Sequence, residues 1–93
     1  MNTVTIQIGN SDDKLTQGEW NKYVRDVQKA IESYSYDQHF FGGSPNWFPW
    51  QNVAWCIVVP DSELDYLKQA IRDIREYYKQ DSVAFTVGET EFI

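Results

Sequence analysis

Residues 3–8, TVTIQI, alternate strictly, with Val4, Ile6 and Ile8 on one face and Thr3, Thr5 and Gln7 on the other. Period two of this kind marks a half-buried strand, and the pattern stops at Gly9-Asn10. Beyond the polar stretch NSDDK, Thr16-Gln17-Gly18-Glu19 reads as a capping box, with Leu15 and Trp20 placed as its hydrophobic staple. Trp20, Val24, Val27, Ile31 and Tyr34 then recur at spacings of 4, 3, 4 and 3. That stripe predicts an amphipathic helix over about residues 16–35. YDQHFF, short and aromatic between Ser35 and Gly42-Gly43, fits either an edge strand or a loop. GGSPNWFPWQN follows, and its two prolines exclude a central strand, so it reads as a structured loop. VAWCIVV is apolar at every position up to Pro60 and predicts a central strand. Asp61 or Ser62 is placed to cap a second helix to about residue 80, with Leu64, Leu67, Ile71, Ile74 and Tyr78 as its stripe and an Arg72–Glu76 pair in support. SVAFTV ends the pattern with Val83, Phe85 and Val87 on one face.

The sum is β-α-β-β-α-β in one domain over residues 1–93. Its simplest closure is an α+β, ferredoxin-like arrangement: a four-stranded antiparallel sheet, both helices on one face, first and third strands central. If YDQHFF is a loop, the alternative is a three-stranded βαβαβ sheet. If Val53, Trp55 and Ile57 face the helices, then Ala54, Cys56 and Val58 lie on the open face. Apolar residues there need cover, which predicts a homodimer, two-fold, formed through this face or through edge strands.

Composition narrows the function. Hydrophobic residues make up 42% of the 93 and aromatics 16%, enough for a real core and too much for a disordered chain. The net charge of -6 argues against general nucleic-acid binding, which needs clustered positive charge. No apolar run approaches the roughly 18 residues of a membrane span, and MNTVTIQIGN has no basic region leading into an apolar one. A cytoplasmic protein with no membrane partner is expected. Cys56, the single cysteine, sits inside an apolar strand and reads as a core thiol. His39, the single histidine, has no Cys/His set at ligand spacing, so no metal is expected, and no cofactor is implied because P-loop, GxGxxG and nucleophile-elbow patterns are missing. RNA-recognition modules share the expected sheet but stack bases on exposed strand aromatics. Here the first strand offers Thr3, Thr5 and Gln7 instead.

Three groups of residues remain as candidate sites. Trp47, Phe48 and Trp50 crowd a loop stiffened by Pro45 and Pro49, a pattern that suits a stacking or anchoring surface; the alternative is a lid over the core. Asn10, Asp12 and Asp13 precede a helix start, where free amides favour an anion although the two aspartates oppose one. Arg25 or Lys14 could supply the local positive charge that a nucleotide needs. The other basic side chains, including Lys68, Arg72 and Arg75, read as solvated helix faces.

The stretches QIGNSDDKLTQGEW, SPNWFPWQNVAW and QDSVAFTVGETEFI resemble small uncharacterised proteins of actinobacterial genomes and their phages. That resemblance implies a compact intracellular protein and carries over no catalytic residue. Its context implies a phage or mobile-element counter-defence protein that binds a host defence protein or sequesters a nucleotide signal. The expected function is therefore a non-enzymatic binding protein acting by occupancy, with a host protein or a small nucleotide as partner. The alternative is a small carboxylate-dependent enzyme built on Asp12 and Asp13 with His39.

Overall fold

The computed structural model describes residues 1–10, 14–45 and 50–93. Along the chain run β1 (Asn2–Gly9), α1 (Gln17–Tyr34), β2 (Asp37–Gly43), β3 (Asn52–Val59), α2 (Asp61–Tyr77) and β4 (Ala84–Gly88). The strands form one antiparallel sheet in the order β2-β3-β1-β4. This is the expected βαββαβ arrangement with the first and third strands in the centre. YDQHFF resolves as an edge strand, with the register against β3 shifting between Gln38 and Phe40, a bulge of the kind that blunts an open edge.

Register explains the core. Val4 pairs with Ile57 and with Val87, and Ile6 pairs with Trp55 and with Phe85, so the apolar sets of three strands share one face. Val4, Ile6, Ile8, Trp55, Ile57 and Val59 are buried there together with Trp20, Tyr23, Val27, Ala30 and Ile31 of α1 and Leu67 and Ile71 of α2. The sequence stripe named Tyr34 and Tyr78, but both are only partly buried; the tyrosine in the core is Tyr23, 1% exposed. It lies three residues after Trp20 and four before Val27, a position the helical period serves equally well.

The helix ends divide between expectation and correction. Thr16 caps α1 as the capping box requires: its Oγ1 accepts from the Glu19 N–H at 3.2 Å, and its own N–H donates to Glu19 Oε1 at 3.0 Å. Those bonds hold the Glu19 carboxyl below the usual carboxylate range. For α2 the cap is Pro60, with no side-chain bond, in place of Asp61 or Ser62. Asp61 instead accepts from Asn2 Nδ2 at 2.6 Å, tying the helix start to β1. The expected Arg72–Glu76 pair gives way to Arg75–Glu76 at 3.5 Å. At its other end α2 closes in a Schellman motif: the Lys79 N–H donates to Glu76 O and the Gln80 N–H to Arg75 O, both at 3.0 Å. Lys79 takes the left-handed position with φ 57°, where glycine is usual. Among the described residues no helix is long and apolar enough to cross a membrane.

Two predictions test this frame. Replacing Lys79 by Gly should raise stability by about 0.5–1 kcal/mol in chemical denaturation, since only the strain of a left-handed side chain is relieved; Lys79→Ala, which keeps the strain, should not. The second concerns the tyrosines between the helices. Burial pushes the Tyr23 hydroxyl up to about 12 from an ordinary 10.0. Burial, then a 2.6 Å bond donated to Asp26 Oδ2, also raises Tyr78. Both groups hold their protons more tightly when folded, so their stabilisation is intact below about pH 10 and is lost as pH climbs toward about 12. In spectrophotometric titration followed alongside circular dichroism, Tyr23 and Tyr78 should ionise only together with loss of the fold; a fold that stays intact after tyrosine ionisation is complete would contradict this.

Candidate functional site

Between α2 and β4 lies a cleft of about 360 Å³ lined by Lys68, Ile71, Arg72, Arg75, Ser82, Val83 and Phe85. Its cations come from one side of a helix, because positions 68, 72 and 75 are spaced by four and three residues and share a face. They span about 10 Å along the axis at 1.5 Å per residue. The opposite wall is built by the Schellman turn, which reverses the chain and lays Ser82, Val83 and Phe85 alongside α2. Arg75 locks that turn: its Nη1 donates to Asp81 O at 3.2 Å and its Nη2 meets Glu76 Oε1 at 3.5 Å. The Lys68 ammonium stands 5.8 Å from the Phe85 ring centroid, a cation over an aromatic face.

The electrostatics of this cleft run against those of the chain. Among the described residues, neither Lys68 nor Arg72 forms an ion pair, although the protein as a whole carries -6. The Arg75 Nε is buried without a hydrogen-bond partner, and so is the Tyr23 hydroxyl, on which the Arg75 charge acts. The arrangement offers positive charge and N–H donors on one side and an apolar surface of Ile71, Val83 and Phe85 on the other.

Of the residues singled out in the sequence, those that are described do not line this cleft. Trp47, Phe48, Asp12 and Asp13 lie outside the described residues, and with them two of the three loop aromatics and the carboxylate pair. Trp50 is 60% exposed. Asn10, expected among ligand-contacting residues, is instead 3% exposed and fully engaged. Its Oδ1 accepts from the Leu15 N–H at 3.1 Å, while its Nδ2 donates to Leu15 O at 3.0 Å and to Gln51 Oε1 at 3.3 Å. It pins the approach to α1 against the end of the aromatic loop. Arg25 lies on a separate groove of about 330 Å³ with Val24, Gln28, Lys29, Glu32 and Phe41, where Glu32 adds an acidic group and Gln28 is bonded to Glu32, Gln38 and Trp55. Lys14 meets Asp81 at 3.5 Å. His39 Nε2 lies 3.2 Å from Asp37 Oδ2 on the exposed edge strand.

The open face of the sheet is the second unusual surface. Thr3 faces Val58, Thr5 faces Cys56 and Thr86, and Gln7 faces Ala54 and Ala84. β1, β3 and β4 contain no ionisable side chain other than Cys56. Cys56, read as a core thiol, is half-buried on this face. Phe40, 55% exposed, approaches Gly42, where a Cβ would come within 2.7 Å of the ring.

No family model matches the chain, and no curated protein matches it in sequence. A solved structure similar to it is a dimeric ferredoxin-like protein of unknown function from Thermobifida fusca YX. The identity is 9% and the TM-score 0.64, with 97% of this chain and 92% of that chain covered. The likeness extends over nearly the whole length of both, and it shows that this chain has the ferredoxin-like α+β fold.

Proposed function

We propose that this chain is a non-enzymatic binding protein that acts by occupancy, holding a small anionic ligand in the α2–β4 cleft, and that it works as a homodimer joined across the open face of the sheet. The carrying observation is the meeting of Lys68, Arg72 and Arg75 with Phe85 in one cleft of a chain of net charge -6. Two of them, Lys68 and Arg72, have no acidic partner among the described residues, and such cations beside a partly apolar wall are what a small organic anion requires. The surrounding acidity, meanwhile, repels long polyanions. Of the partners left open by the sequence, a host protein and a small nucleotide, this cleft favours the second. The resemblance to phage proteins supplies a context for that reading, capture of a nucleotide signal in counter-defence.

Thermal unfolding in benzoate and in phenyl phosphate, each against sodium chloride at equal ionic strength, tests the cleft. Ligand at about 100 times its Kd stabilises the fold by about 2.7 kcal/mol, so at least one anion should raise the midpoint. The double variant Lys68→Gln/Arg72→Gln should abolish that rise. If neither anion moves the midpoint, the cleft is a solvated helix flank.

The dimer rests on a different observation. A chain carrying -6 meets a copy of itself with least repulsion where its surface is uncharged, and the open face is uncharged across three strands. The dimeric state of the similar Thermobifida protein supports the same reading. Sedimentation should give a dimer mass for the native chain and a monomer mass for Ala54→Lys or Thr5→Lys, which place a charge in the middle of that face. A concentration-independent monomer mass for the native chain would remove the dimer from the proposal.

A further inference from the structure

We infer that the cleft ligand is a phosphate monoester carried on a flat apolar body; this rests on the small-anion reading above and adds the acid group and the way it is seated. Charge balance comes first. Glu76 lies 3.5 Å from Arg75 and offsets it, whereas Lys68 and Arg72 have no acidic partner among the described residues. Two uncompensated cations match a dianion. A phosphate monoester carries about 1.5 to 2 negative charges at neutral pH, and a carboxylate carries one.

Donor supply points the same way. Each guanidinium offers five N–H groups and the ammonium three, and Ser82 adds a hydroxyl on the facing wall. Two carboxylate oxygens would leave much of this supply unused, while three terminal phosphoryl oxygens accept from several directions at once. The acid group therefore belongs with Lys68 and Arg72, one helical turn apart on α2, and the Ser82 hydroxyl of the facing wall.

The body then lies toward Phe85. Ile71, Val83 and Phe85 form the apolar wall, and Lys68 already covers the Phe85 face. What remains for the ligand is the electropositive ring edge, which favours an edge-to-face approach by a second flat ring. A cleft of about 360 Å³ sits at the small end of ligand sites and suits one ring system with its phosphate. That chemistry has two sources, a nucleoside monophosphate and a phosphorylated aromatic metabolite.

Calorimetric titration of the full chain with phenyl phosphate, adenosine 5′-monophosphate, inorganic phosphate and benzoate separates these. Phenyl phosphate or the nucleotide should bind about tenfold more tightly than both inorganic phosphate and benzoate, a difference of about 1.4 kcal/mol. Tighter binding of the nucleotide assigns the body to a base, and tighter binding of phenyl phosphate assigns it to a compact ring. Arg72→Gln, at an exposed position, should weaken the phosphate esters by about tenfold without lowering the melting midpoint of the free protein. Phe85→Leu should bring the aryl phosphate close to inorganic phosphate. Benzoate binding as tightly as the esters would overturn the phosphate assignment and leave the small-anion reading standing. Inorganic phosphate binding as tightly as the esters would overturn the aromatic body. Binding of none of the four would overturn the inference and the reading beneath it together.

Discussion

Trp55 is the point at which every layer of this molecule meets. It stands on the central strand β3, fully buried, opposite Ile6 of the neighbouring central strand. Phe41 of the edge strand packs against it at 5.2 Å. Its indole N–H, which burial would otherwise leave unmet, donates to Gln28 Oε1 of α1 at 2.7 Å. Gln28 in turn donates to Gln38 on β2 at 2.8 Å. One side chain thereby fixes the height of α1 over the sheet and its lateral position relative to the edge strand, because a buried indole donor tolerates only the geometry that satisfies it. α2 then packs beside α1, Tyr78 to Tyr23 at 4.9 Å and Tyr78 to Asp26 at 2.6 Å. The position of the cleft thus follows from the indole bond through two helices.

A sheet covered on one side also sorts the charges. Strands β1, β3 and β4 carry none on either face, so the Asp, Glu, Lys, Arg and His side chains of the described chain lie on helices, turns, the edge strand and the terminal segment. In most small domains such segregation only keeps the surface solvated. Here it leaves two surfaces that depart from the average: a flat uncharged one, and a narrow strip on α2 where basic residues outnumber their acidic partners.

Much of the fold was legible because it rests on local periods. Strict alternation in TVTIQI, the Thr16–Glu19 box and the apolar run before Pro60 each name one element with little competition. What escaped was set by tertiary context. Tyr23 and Tyr34 fit the α1 stripe about equally, and only the position of α2 decides that Tyr23 is inside. The cap of α2 fell to Pro60 because Asp61 is drawn to Asn2 of β1, 59 residues away in sequence. The edge strand was ambiguous because its register shifts between Gln38 and Phe40, which breaks the period that would have announced it. The candidate site was legible in principle. Lys68, Arg72 and Arg75 each follow a core residue of α2 directly, yet clustered aromatics are the louder signal. Regular cations on a helix are ordinarily solvent-facing, and nothing local shows that a turn and a fourth strand will return to lie beside them.

That spacing also ties the core to the cleft. Leu67, Ile71, Ile74 and Tyr78 form the inward stripe, and the positions one step on are Lys68, Arg72, Arg75 and Lys79. A helix turns by about 100° per residue, so the bearing of the charges is the bearing of the core displaced by a single step. Point substitutions can alter either stripe and leave the other intact, which lets ligand preference drift while the fold is kept. An insertion or deletion within the helix has no such freedom, since one residue of slippage turns the leucine and isoleucines off the core, and a deletion puts the cations in their place. In lineages that preserve this cleft, the length of α2 should vary less than its surface chemistry.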